Sequence, residues 1–241
     1  MSDQALEQLA AEVKALRHEL GIQKDIQAVK TVQYAYGYYL DKCLYDEVVD
    51  TFADDCEVHF GGGRFIGKPG IKRLFLDRFR KRFTGGYNGP IYGFLLDHQM
   101  LQDIISVSDD RKTARGRFRV FMQAGTHYSA GLVEQGRMQQ WWEAGIYENE
   151  YVCEDGIWKI KILNYNVVFF GTFEEGWATW KNYDIGCITT TYPDDPTGAD
   201  ELFSSAPGRW PETPVIPFHY THPVTGRKWK PAPRPREKGE K

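Results

Sequence analysis

The sequence lacks every short motif that marks a nucleotide, zinc or acyl-enzyme site. There is no G-x-G-x-x-G, no Walker loop, no H-E-x-x-H and no Ser-His-Asp elbow. The run GGGRF (61–65) has glycines but not the strand-to-helix context of a phosphate cradle. Cysteine is scarce: four residues, at 43, 56, 153 and 187, none in a C-x-x-C pair. His59 stands near Cys56 at no zinc-binding spacing. Free thiols in a reducing compartment are expected, with no metal and no cofactor. A basic excess is missing too. The formal net charge is −3, which argues against nucleic acid as a partner. Basic residues do gather in IKRLFLDRFRKRF (71–83), but at helical spacing, as on a solvated helix face. No apolar run reaches membrane-spanning length, and the charged N-terminus has no apolar signal core. A cytoplasmic protein without membrane contact is expected.

What remains is a chain rich in apolar and aromatic side chains, 41% and 15% respectively, enough for a sizeable core. Leu6, Leu9, Val13, Leu16 and Leu20 recur at steps of three and four, which predicts an amphipathic helix over 4–20. It reads either as an oligomer-contact arm or as a helix lying back on its own domain. Further helices are expected over 25–40, 45–52 and onward from Pro69, with GGGRFIGKPG (61–70) as a turn. Strand signals then dominate 93–107, 113–123, 137–153 and 157–170, with turns at SDDRK and EDG. Helices first and antiparallel strands after them mean α+β. The architecture expected is a cone-shaped α+β barrel: a curved antiparallel sheet with helices packed in its concavity. The boundaries expected are an N-terminal helical arm (1–22), the barrel (23–171) and an extended C-terminal arm (172–241) whose last ten or so residues are disordered.

Strand parity nominates the residues that reach a pocket. In the strand from Phe94, one face holds Leu96, His98, Met100, Gln102 and Ile104. A neutral imidazole among apolar neighbours can accept one proton and donate another near neutral pH, so His98 is a candidate acid–base group. The plainer alternative is a core histidine satisfied by a backbone carbonyl. Asp41, after the aromatic run Tyr34, Tyr36, Tyr38 and Tyr39, would orient that ring if it faced it; otherwise it caps a helix end. Tyr39 joins them as a candidate. His59 ranks second, because Val58 and Phe60 send it outward if they face the core. Arg115, Arg117 and Arg119 alternate on one face and read as solvent- or subunit-facing. Trp141, Tyr147 and Asn149 share a parity, and Tyr147 could donate to a developing oxyanion.

In order and spacing, Y-x-x-x-L-D (36–41), F-A-D-D-C-E-V (52–58), GKPGI (67–71), H-x-x-x-Q-x-I (98–104) and Y-E-N-E-Y-V with D-G-x-W-K-I (147–160) resemble the SnoaL-like branch of the nuclear transport factor 2 superfamily. The resemblance spans 24–170. It implies the cone fold, cofactor-free acid–base chemistry on a small aromatic substrate, and a homo-oligomer, either dimer or trimer. Enzymes of this kind include polyketide cyclases, steroid isomerases, epoxide hydrolases and dehydratases; others of the same fold only bind. The resemblance places an acid–base histidine at His98 and a supporting carboxylate at Asp41. It sets Asn149 where the family often has a pocket acid, which weakens any carboxylate-base role there. Asn164 and Asn166 are similar to the substrate-orienting amides of the dehydratases, with strand-end hydrogen bonding as the alternative. The long arms at both ends look like the sphingomonad diarylpropane lyases, which remove formaldehyde from a lignin-derived diol and leave a stilbene. On that reading His98 is the general acid for a benzylic hydroxyl, with Asp41 behind it.

Overall fold

The computed structural model describes residues 2–181, 186–204 and 208–231. The expectation of disorder over the last ten residues lies outside them. The first helix, α1, runs unbroken from Asp3 to Asp41, capped by Ser2, whose Oγ accepts the Ala5 N–H at 3.3 Å. The sequence pattern predicts two helices here, with a break near Gly21. The break is absent because Gly21 serves packing: a Cβ there would lie 2.4 Å from the Arg111 guanidinium. One turn on, Asp25 binds that guanidinium (Nε to Oδ2 2.5 Å) and the Trp158 indole N–H (3.1 Å). From this clamp onward the helix buries Val29, Gln33, Tyr36, Gly37 and Leu40, one stripe at helical spacing. Before it, Leu6, Leu9, Val13, Leu16 and Leu20 are exposed.

A short helix, α2 (Tyr45–Asp50), leads into β1 (Phe52–Phe60) and β2 (Gly63–Ile66). Part of the stretch expected as a turn is therefore strand β2. Three helical stretches follow without interruption: α3 (Gly67–Lys72), a π-helical segment (Arg73–Arg80) and α4 (Lys81–Thr84). Then come four long strands: β3 (Phe94–Val107), β4 (Thr113–Thr126), β5 (Gln140–Glu154) and β6 (Ile157–Thr172). At the β5–β6 hairpin Asp155 (φ 51°) and Gly156 (φ 79°) both take the left-handed conformation that the EDG signal demands. After a helical turn, α5 (Gly176–Thr179), the two-residue strand β7 (Glu201–Leu202) adds to the sheet edge.

The sheet order is β3-β4-β5-β6-β1-β2-β7. Its pairs are antiparallel except β6 with β1, which run parallel, so the sheet is mixed rather than purely antiparallel. The core lies between its concave face and the helices, as in the expected cone.

Bulges in β3 and β6 reset the side-chain parity. In β3 the register slips between Leu101 and Ile104, where Gln102 has φ 52°. The extra residue turns Asp103 to the Lys30 ammonium (2.8 Å) and the Tyr34 hydroxyl (2.9 Å) of α1. In β6 the pairing passes from Ile160 to Ile162 opposite consecutive residues of β5. Trp158 and Ile160 are buried before that point, Leu163 and Tyr165 after it.

Candidate active site

The cone encloses a cavity of about 540 Å³. Its wall combines Tyr36 and Leu40 of α1, Val58 and Phe60 of β1, and Phe75, Phe79 and Phe83 of the helical run. The sheet contributes Leu96, His98, Met122, Trp141, Glu143, Tyr147, Leu163, Tyr165 and Phe170, and Arg78, Arg82 and Arg137 add cationic groups. Phe75, Phe79 and Phe83 touch in sequence along one helix face, and Phe83 stacks on Phe94 at 5.3 Å. An apolar lining with a few convergent polar groups is the usual form of a small-molecule site.

His98 and Asp41 meet as the sequence suggested. Asp41, the last residue of α1, accepts both the main-chain N–H of His98 and its Nδ1 on one oxygen, each at 2.8 Å. Both side chains are nearly buried, 9% and 11% exposed. An ionised carboxylate can only accept, so Nδ1 carries the hydrogen and Nε2 of the neutral ring holds a lone pair. The carboxylate fixes the ring and faces the charge that forms when Nε2 takes a proton. The arrangement offers a base. The acid role expected for His98 needs that ring protonated first.

A second polar group was missed. Glu143 stands in line with His98 across the sheet: His98 pairs with Met122, and Met122 pairs with Glu143. Burial raises the pKa of its carboxyl; the Tyr165 hydroxyl, donating at 2.7 Å, and the nearby His98 and Arg209 oppose that rise. Burial also pushes the Tyr147 and Tyr165 phenols well above their ordinary range, so both remain hydrogen-bond donors. The Tyr165 ring lies over Gly145, where a Cβ would come within 2.2 Å of it, and tilts against Tyr147 at 4.7 Å. The signal for Glu143 was present in the sequence: it has the parity of Trp141 and Tyr147.

Of the residues nominated from sequence, His98, Tyr147 and Trp141 line the cavity, with Asp41 directly behind His98. The others lie elsewhere. Tyr39 packs half-buried on the core, and Tyr36 takes the cavity position on α1. His59 points away because Val58 and Phe60 face inward; its Nε2 lies 3.0 Å from Glu57 and its ring 5.0 Å from Phe203. Gln102 is exposed, since the β3 bulge turns it out. Asn149 is buried in a polar knot below the cavity. It donates to Gln33 Oε1 (2.9 Å), and its Oδ1 accepts the Asn164 N–H (2.9 Å) that the irregular β5–β6 ladder leaves free. Asn164 and Asn166 bond to each other (3.2 Å) on the side of β6 opposite Leu163 and Tyr165. The β6 bulge, invisible to a strict two-residue period, put them there. Among the described residues, no group of three or more His, Cys, Asp or Glu is arranged to hold a metal ion. No described helix is long and apolar enough to cross a membrane.

No curated protein matches the chain significantly. Among solved structures, a putative scytalone dehydratase from Novosphingobium aromaticivorans superposes with a TM-score of 0.50 and 19% identity, covering 64% of this chain and 90% of its own. A hexachlorocyclohexane dehydrochlorinase, LinA-type3 from Novosphingobium barchaimii, gives 0.48 and 21%, covering 65% of this chain and 92% of its own. At such identities the likeness concerns the fold. The SnoaL-like domain model matches residues 23–164, more than half of the chain, and the protein therefore belongs to the SnoaL-like domain family.

Proposed function

We propose that this chain is a cofactor-independent lyase whose substrate is a phenolic, lignin-derived diarylpropane. It removes the benzylic hydroxyl and formaldehyde to leave a stilbene. The observation that carries the reading is the Asp41-held imidazole of His98 on the wall of an aromatic-lined cavity. That cavity falls in the volume range of drug-sized ligands, and its rings suit flat aromatic partners. Loss of water across the phenol and the benzylic carbon gives a quinone methide. Nε2 of His98 then takes the proton of the terminal hydroxyl. Its C–O bond becomes the carbonyl of formaldehyde, the adjacent C–C bond breaks, and that electron pair forms the stilbene double bond and restores the phenolate. Arg78, Arg137 and Tyr147 are the wall donors offered to that phenolate, while Tyr165 gives its single O–H to Glu143. Plain dehydration would use the same pair on a carbon-bound proton. Residues 23–171 form the catalytic unit in this reading, and the exposed stripe of Leu6, Leu9, Val13, Leu16 and Leu20 is a contact between copies.

The test is incubation of the purified chain with a p-hydroxylated diarylpropane-diol, following stilbene absorbance and formaldehyde together. Equal amounts of both are expected. A dehydrated product that retains every carbon would reassign the protein as a dehydratase. Binding without any product would make it a carrier.

A further inference from the structure

We infer that Glu143 is the acid that protonates an oxygen leaving group in this cavity, on the far side of Met122 from the His98 base. The inference rests on reading the cavity as an active site and narrows what that site can take. His98, Met122 and Glu143 occupy one cross-sheet row on neighbouring strands. Strands lie about 4.8 Å apart, so the two polar residues leave the sheet roughly 10 Å from each other on one face. Both line the cavity, and Met122 between them offers no proton. A base and an acid so separated suit a substrate with two oxygens: one to lose a proton, one to gain it and depart as water. A diol with its hydroxyls on either side of one carbon meets that requirement. A halide would depart without the acid.

Burial favours the uncharged form of Glu143, and Tyr147 stands beside it as a neutral phenol. Against that stand the Tyr165 hydroxyl that donates to it, His98 across the row, and Arg209 from the C-terminal arm, whose Nη2 donates to Cys187 Sγ at 3.0 Å. In the step itself, the Glu143 O–H proton passes to the benzylic hydroxyl, the C–O bond breaks and water leaves. The phenol gives up its own proton to solvent, so the quinone methide is neutral, and Glu143 takes a proton back from solvent.

The experiment compares two diaryl substrates in the full chain, one with a free benzylic hydroxyl and one with the corresponding acetate. Acetate departs as a stable anion and needs no proton. Glu143→Gln keeps the shape and loses the proton. It is expected to slow turnover of the free alcohol by ~10²–10⁴-fold, the usual contribution of a general acid, and to leave the acetate nearly untouched. Glu143→Asp keeps the acid and should recover part of the loss. An infrared difference spectrum of wild type minus Glu143→Gln should show a protonated carboxyl band at neutral pH. Equal loss on both substrates, no loss on either, or absence of that band overturns the assignment and leaves Glu143 as the support of Tyr165. A wild-type protein inert towards both substrates removes the proposed function as well, so the two failures are told apart.

Discussion

Two histidines in this chain are held in the same way and in opposite surroundings. On the concave face one oxygen of Asp41 accepts the main-chain N–H and the Nδ1 of His98. On the outer face one oxygen of Glu148 accepts the main-chain N–H (3.2 Å) and the Nδ1 of His219. The difference lies beyond each ring. His98 looks into a cavity of about 540 Å³. His219 belongs to the C-terminal arm itself, and its Nε2 is buried without a hydrogen-bond partner among the described residues. Glu148 also gives its other oxygen to Arg117 (2.6 Å), which donates to Pro217 O (3.0 Å) and lies under the Phe218 ring at 4.4 Å. On the proposed function, one motif serves two ends. A carboxylate behind a histidine makes a base only where the second nitrogen meets a substrate; elsewhere it fastens one segment to another.

The largest effect expected from that contrast is on turnover. His98→Gln should lower kcat by ~10²–10⁴-fold, because glutamine keeps the volume and cannot take the proton. His219→Gln should leave kcat close to wild type. Steady-state rates of the two variants, with thermal melts to show both are folded, decide the matter. Similar losses in both would erase the distinction between the inner and outer pairs.

The next effect is on the arm. Arg117→Met removes the guanidinium that ties Glu148 to residues 216 and 217. Leaving the half-buried Glu148 without this partner should cost ~1–3 kcal/mol, read from urea denaturation. Limited proteolysis should then cut the arm sooner than in wild type. An unchanged cleavage rate would show that the arm is held elsewhere, for instance through the Trp210 N–H on Val168 O at 2.7 Å.

A smaller effect separates the two faces by pH. Glu143 has a folded pKa raised above the ordinary glutamate value of 4.5. In the folded state it therefore binds more protons than in the unfolded state over the interval between the two values. Its contribution is fully present below the ordinary value and is lost as pH rises through the folded one. Wild type should lose stability across that interval relative to Glu143→Gln, by about 1.4 kcal/mol for each pH unit that separates the folded and unfolded values. Denaturation midpoints of both proteins from pH 4.5 upward are the measurement. Parallel curves would mean that the carboxyl ionises as it does in water.

The sequence made the elements and half of the site legible, and the reason for the split is local. Helix and strand periods gave the long strands and the amphipathic helices, because burial on one face repeats. His98 and Asp41 were legible through a pattern spanning both. Asn164, Asn166 and Gln102 were misplaced because a strict two-residue period fails at a bulge: the two asparagines follow one, and Gln102 lies in one. Glu143 was passed over although it shares the parity of Trp141 and Tyr147. A lone carboxylate on an apolar face reads as an outward residue until Tyr165 and the cavity are seen. The break expected near Gly21 failed for a tertiary reason, the seating of Arg111 against the helix.

The smallest effect bears on the bulge itself. Gln102 carries φ 52° and is exposed, so its side chain does little and its backbone is strained. A non-glycine residue in the left-handed region costs roughly 1–2 kcal/mol, and glycine removes that cost while losing about 0.5–1 kcal/mol of chain entropy. Gln102→Gly should therefore be neutral or slightly stabilising, and kcat/KM should stay at the wild-type value. Had Gln102 shared the face of His98, removal of its amide would raise KM for any polar substrate. A rise in KM with unchanged stability would put residue 102 back in the cavity and deny that the bulge resets the faces. A drop in stability would mean instead that the glutamine side chain, not the backbone, secures the turn of Asp103 towards Lys30 and Tyr34.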